Sequence, residues 1–92
     1  MSIHDTLKER GSRYGEFKNH AAICQALKHV MTMEDGWDGL APDQAQALEV
    51  IMDKVARILN GDPDYVDNWH DIAGYATLVE QRLVKEKGPK GP

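Results

Sequence analysis

Two pairs of carboxylates stand out among the residues able to do chemistry. Glu49 and Asp53 are four residues apart, and so are Asp67 and Asp71. On helices that spacing puts the members of each pair on one face. Four carboxylates on two antiparallel helices could hold Mg²⁺, which takes oxygen ligands and keeps several waters. A bound Mg²⁺ could grip a nucleoside triphosphate and activate a water for attack on it. Lys54, Arg57 and His70 lie close by in the chain. They could equally pair with the acids and leave only solvated faces.

A second set suits an anion. Arg10, Arg13, Tyr14 and Lys18 cluster around a glycine-containing stretch, Arg10-Gly-Ser-Arg-Tyr-Gly-Glu-Phe17, which reads as a loop leading into a helix N-terminus. Such an end offers free backbone N–H groups and a partial positive charge. Arg can grip phosphate through two hydrogen bonds at once, and Tyr14 could stack on a base. The plain alternative is a surface loop with a buried tyrosine. His20 and His29 are expected at the surface, with His20 one turn from Glu16 and able to join the anion set. His70 has no Ser or Cys partner at hand and is expected exposed or paired rather than catalytic. Cys24 falls on an apolar stripe and is expected as a buried, inert thiol. Trp37 and Trp69 are expected in the core.

The elements that must position these groups are helices. From Pro42 to Asn60 the apolar residues Leu48, Ile51, Met52, Val55, Ile58 and Leu59 follow a 3.6-residue period. Pro42 suits a first helical turn, Asp43 complements the helix dipole, and Asn60-Gly61 is a stop signal. After a turn at Asp62-Pro63-Asp64, a last helix is expected from about Tyr65 or Val66 to about Lys85. Its inward stripe would be Val66, Trp69, Ile72, Ala73, Ala76, Val79 and Leu83. Gly74 in that helix costs roughly 1 kcal/mol against Ala, which suggests that a helix or ligand approaches closely there. An earlier helix is expected from Gly15 or Glu16 to about Thr32, with Phe17, Ala21, Cys24, Leu27 and Met31 inward. Residues 1–9 read as a short, weak helix with Ile3 and Leu7 inward. Residues 33–41 read as a loop with Trp37 and Leu40 tucked beneath it.

The fold expected is therefore all-α, a small bundle of three main helices plus a short N-terminal one. It would form a single domain over residues 1–84, with 85–92 as a disordered tail free of apolar residues. Ninety-two residues make a thin core, and homo-oligomerisation is a common remedy. The net charge of -4 argues against a basic, duplex-binding protein. A single cysteine allows no intrachain disulfide, and no Cys-based metal site is expected. No apolar run is long enough for a membrane span. A cytoplasmic protein is expected.

Several stretches together resemble a family of short uncharacterised phage and prophage proteins. They are Arg10 to Phe17, Gln25-Ala-Leu-Lys28, Ala47-Leu-Glu49, Lys54-Val-Ala-Arg-Ile-Leu-Asn-Gly-Asp62 and Asp67-Asn-Trp-His-Asp-Ile-Ala-Gly-Tyr75. The resemblance covers nearly the whole chain before the tail and implies origin and fold; a phage-encoded protein would work in the host cytosol. More distantly, the chain is similar to the all-α nucleoside triphosphate pyrophosphohydrolases of the MazG type, which hold Mg²⁺ through acidic pairs on two helices. That likeness implies Glu49, Asp53, Asp67 and Asp71 as metal ligands, with Lys54 or Arg57 on phosphate. Here the pairs are spaced at four rather than three. Two function classes follow. One is Mg²⁺-dependent pyrophosphohydrolysis. The other is a non-catalytic protein that sequesters a nucleotide signal or docks on a host protein, with Arg10, Arg13, Tyr14 and Lys18 at the contact. A plain helical interaction module is the third possibility.

Overall fold

In a computed structural model, which describes residues 2–87, the chain is all-α. Helix α1 spans Ile3–Tyr14, α2 Phe17–Met33, α3 Pro42–Asn60 and α4 Val66–Lys87, with a 3₁₀ turn at Asp35–Gly39 between α2 and α3. Helices α3 and α4 form an antiparallel hairpin, fastened at its open end by Arg82, whose Nε and Nη2 donate to the two Asp43 carboxylate oxygens at 2.9 and 2.6 Å. Helix α2 packs on the other side of α3, so α3 is the central element. Ala47, Met52 and Ala56 on α3 are its buried apolar residues. Two alanines among them let the neighbouring helices come close.

Helix α3 has the limits its pattern predicts. Pro42 opens it, and the Gln44 side chain accepts the Ala41 N–H at 2.9 Å. Helix α1 is longer than expected. Ser2 caps it by accepting the Asp5 N–H, and the i, i+4 pair Glu9–Arg13 (3.0 Å) carries it through Gly11. The anticipated loop from Arg10 thus shrinks to Gly15 and Glu16. Helix α4 also outruns its expected end: Lys85 and Lys87 complement the negative helix terminus, and Arg82 pairs with Glu86 at 3.0 Å. Residues 85–87 are therefore helical, and the rest of the expected tail lies outside the described residues.

The two interhelical turns clasp one another. Gly15, at φ 77°, ends α1 in a backbone region that favours glycine. A Cβ there would strike the Asn60 carbonyl, and one on Gly61 would strike the Arg13 carbonyl. Asn60 Nδ2 donates to the carbonyls of Tyr14 (2.8 Å) and Glu16 (2.9 Å), and the Asp62 N–H donates to the Arg13 carbonyl (2.8 Å). Asn19 Nδ2 donates to Asn60 Oδ1 at 2.5 Å.

Several residues expected inside are outside. Ile3, Leu7, Phe17, Val66 and Trp69 are all more than half exposed, and Ala73 and Ala76 are exposed too. The cause is that α4 turns Asn68 inward instead, 1 % exposed, while Trp69 donates through Nε1 to the Pro63 carbonyl at 2.8 Å. On α1, Leu7 borders a cavity that also exposes Phe17 rather than a packed core. Among the described residues no other helix comes within 4 Å of a Cβ placed on Gly74, so the close approach expected there is not made by them. Among the described residues no helix is long and apolar enough to cross a membrane.

Candidate functional site

The end of α1, the start of α2 and the C-terminal half of α3 enclose a cavity of about 340 Å³, lined by Arg10, Tyr14, Glu16, Phe17, His20 and Arg57 among others. Two guanidinium groups converge on one ring there. Arg57 lies 4.6 Å and Arg10 5.3 Å from the centre of Tyr14, within the reach of a cation–π contact. The clasp between Gly15 and Asn60 holds this corner in place.

The anion set divides around this cavity. Arg10 and Tyr14 line it, and Arg57, which the pyrophosphohydrolase likeness puts on phosphate, joins them. Arg13 turns the other way: its Nη1 donates to the Tyr65 hydroxyl at 3.1 Å and its guanidinium lies over the Tyr65 ring. Tyr14 and Tyr65 meet edge to face at 6.0 Å. Lys18 sits in a different, shallow depression with Asn19 and Asn60. Spacing along a helix could not reveal this split, because it depends on where α3 ends.

The four carboxylates are dispersed, each with its own partner. Glu49 pairs with Lys28 at 3.4 Å and Lys54 with Asp71 at 3.0 Å. Arg57 Nε donates to Asp53 at 2.8 Å. The Tyr65 hydroxyl donates to Asp67 at 2.9 Å, and that bond raises the Tyr65 pKa above its ordinary value. Among the described residues these acids do not come together as a group of three or more. As arranged, each of the four faces a cation or a hydroxyl group.

A different group does converge. His20, 9 % exposed and not at the surface as expected, directs Nε2 at Cys24 Sγ and at Asp53 Oδ1, 3.3 Å from each. Cys24 is half-buried; burial first, and the Asp53 charge second, push its thiol pKa up. The i, i+4 spacing of His20 and Cys24 was visible in the sequence, but Asp53 joins them only through the packing of α2 on α3. His29 and His70 are exposed, as expected. A separate apolar groove of about 470 Å³, lined by Leu27, Met31, Trp37, Leu40 and Ile51 among others, offers almost no polar group.

The chain belongs to the family described as Domain of unknown function (DUF6378), whose family model matches residues 4–83. No curated protein and no solved structure matches it.

Proposed function

We propose that this domain binds a nucleotide or another phosphate-bearing small molecule, without hydrolysing it, in the cavity beside Tyr14. The observation that carries this reading is the convergence of Arg10 and Arg57 on the Tyr14 ring. Two cations supply charge for phosphate, and an aromatic ring beside them suits a base. The volume is at the lower end of small-molecule sites. The likeness to short phage and prophage proteins suggests a role in sequestering a host nucleotide signal. Hydrolysis is the second reading. It would require Glu49, Asp53, Asp67 and Asp71 to leave Lys28, Arg57, Tyr65 and Lys54 and gather on Mg²⁺, whereas binding needs no such rearrangement.

The working unit in this reading is a homodimer. The chain exposes 6864 Å², against about 5,400 Å² for a compact protein of its mass. Its radius of gyration is 16.0 Å, against about 12 Å for a compact domain of this length. The excess area, about 1,500 Å², is of the order that a stable dimer covers on each chain. A host protein is the competing occupant of the same surface.

The test is calorimetric titration with nucleoside mono-, di- and triphosphates in the presence of Mg²⁺, followed by anion-exchange separation of the nucleotides. Saturable binding with the nucleotides unchanged is expected. Monophosphate appearing with pyrophosphate would replace the binding reading with the enzymatic one.

A further inference from the structure

We propose that His20, Cys24 and Asp53 form a binding site for a thiophilic divalent cation of the Zn²⁺ class. The three donors are one imidazole nitrogen, one sulfur and one carboxylate oxygen, a set that suits Zn²⁺ and not Mg²⁺. Their ligand atoms all lie within 4.8 Å of one another, and two of the three separations are 3.3 Å. Neighbouring ligand atoms around a tetrahedral Zn²⁺ stand about 3.4–3.6 Å apart, given the usual bond lengths. Two of the separations are already close to those values, and closing on an ion requires the sulfur and the carboxylate oxygen to reach the same range.

The hydrogen bonding around His20 supports the assignment independently. One nitrogen, Nε2, faces both the thiol and the carboxylate. A neutral imidazole nitrogen is either a donor or an acceptor, so it cannot donate to Asp53 and accept from the Cys24 S–H at once. Nδ1 is buried with no partner among the described residues, so they give the ring no other polar anchor, although it is nine-tenths buried. A cation among the three donors would use the Nε2 lone pair, a thiolate and the carboxylate together. Burial and the Asp53 charge favour the protonated thiol while no cation is bound; a coordinated metal takes the thiol proton's place.

The surroundings supply an outer contact and an entrance. Arg57 Nε donates to Asp53 Oδ1 at 2.8 Å, the kind of bond that orients a ligating carboxylate. Cys24 and Asp53 line a depression of about 370 Å³ between α2 and α3 that opens to solvent. The fourth coordination position is left for water or an anion, as in an open zinc site. Because Nδ1 lacks an outer partner, the affinity is expected to fall about 10–100-fold below that of a fully supported site.

The test uses the full chain freed of metal by a chelator. Co²⁺ is titrated in and thiolate-to-metal charge-transfer absorption is followed; Zn²⁺ stoichiometry is measured in competition with a chromophoric chelator. One ion per chain with a charge-transfer band is expected. Cys24→Ser should abolish the band, and Asp53→Asn should weaken Zn²⁺ binding at least tenfold, with helicity checked by circular dichroism. No binding, or binding unchanged in Cys24→Ser as exposed His29 or His70 would produce, overturns the site. Should a variant unfold, the wild-type chain decides: Zn²⁺ should protect Cys24 from alkylation by a maleimide, and an unaltered alkylation rate overturns the proposal.

Discussion

Gly15 lies against the main-chain carbonyl of Asn60, with no space between them for a side chain. This contact joins the α1–α2 turn to the end of α3, and the cavity beside Tyr14 depends on it. Gly15→Ala should cost about 1–3 kcal/mol from the positive φ alone, and more from the collision with Asn60. Gly36→Ala is the control, since nothing lies within 4 Å of its Cβ position. Urea midpoints for the two variants should differ clearly; equal midpoints would mean that the turns are not clasped.

Asn60 holds the same joint through its side chain. Its Nδ2 donates to two carbonyls and its Oδ1 accepts from Asn19. Asn60→Ala should cost about 1–3 kcal/mol, the summed net worth of three hydrogen bonds, of which that to the Tyr14 carbonyl is part-buried. Asn60→Asp at neutral pH should cost at least as much, because a carboxylate oxygen would then face the Tyr14 and Glu16 carbonyls. A milder effect from Asp than from Ala, measured by denaturant unfolding, would contradict this geometry.

The sequence shows why helices were legible and joints were not. The 3.6-residue period of Leu48, Ile51, Met52 and Val55, with Pro42 before it and Gly61 after it, places α3 to the residue. The same reasoning makes Asn60-Gly61 a stop signal and nothing more. That Asn60 also ties down α1 requires knowing that the two turns meet. The inward stripe assigned to α4 failed at Val66 and Trp69, where apolar residues face out and Asn68 faces in. Periodicity identifies an apolar face but not whether this chain covers it. The candidate sites divide for the same reason: Arg10, Tyr14 and Arg57 come together from separate motifs, while Arg13 and Lys18, close to Arg10 in sequence, turn elsewhere.

The Asp43–Arg82 pair makes stability depend on pH at the acid end. The Arg82 hydrogen bonds hold the Asp43 carboxyl below the usual carboxylate range. A depressed pKa means that the folded state binds the proton less readily than the unfolded state. The contribution is therefore present above the ordinary carboxylate value and is lost as pH falls through the folded value. Wild type should have a higher Tm than Asp43→Asn at neutral pH, and the gap should close below about pH 4. The pair is exposed, so the gap should also narrow in high salt. A gap independent of pH would show that the pair does not form in solution.

Arg10 and Lys18 separate two uses of the same basic segment. Arg10 lines the cavity with Tyr14, whereas Lys18 lies in another depression. Arg10→Ala should weaken a phosphate-bearing ligand by about 1.5–3 kcal/mol, the worth of a hydrogen bond to a charged group. Lys18→Ala should leave affinity within about twofold, since its charge is solvated and screened. Titration calorimetry on the two variants checks this. An equal loss in both would point to general attraction by the basic segment rather than to a built site.

Leu78 tests whether a second copy covers α4. It is 61 % exposed and lies with Gly74 and Tyr75 around a shallow depression of about 280 Å³. Among the described residues no other helix approaches Gly74, although a mid-helix glycine is costly. A second copy packed there would use both the open backbone and the apolar rim. Leu78→Glu should leave the helicity of the isolated chain intact, because the side chain is already exposed, yet place a charge in the middle of the apolar contact. Sedimentation equilibrium should then give a dimer for wild type and a monomer for Leu78→Glu. A variant that remains dimeric would direct attention to another exposed apolar surface, first the one where Phe17 and Leu7 border the cavity beside Tyr14. In that arrangement the partner would help close the binding site, and dimer formation and ligand affinity would rise together. With the interface on α4, the two would be independent.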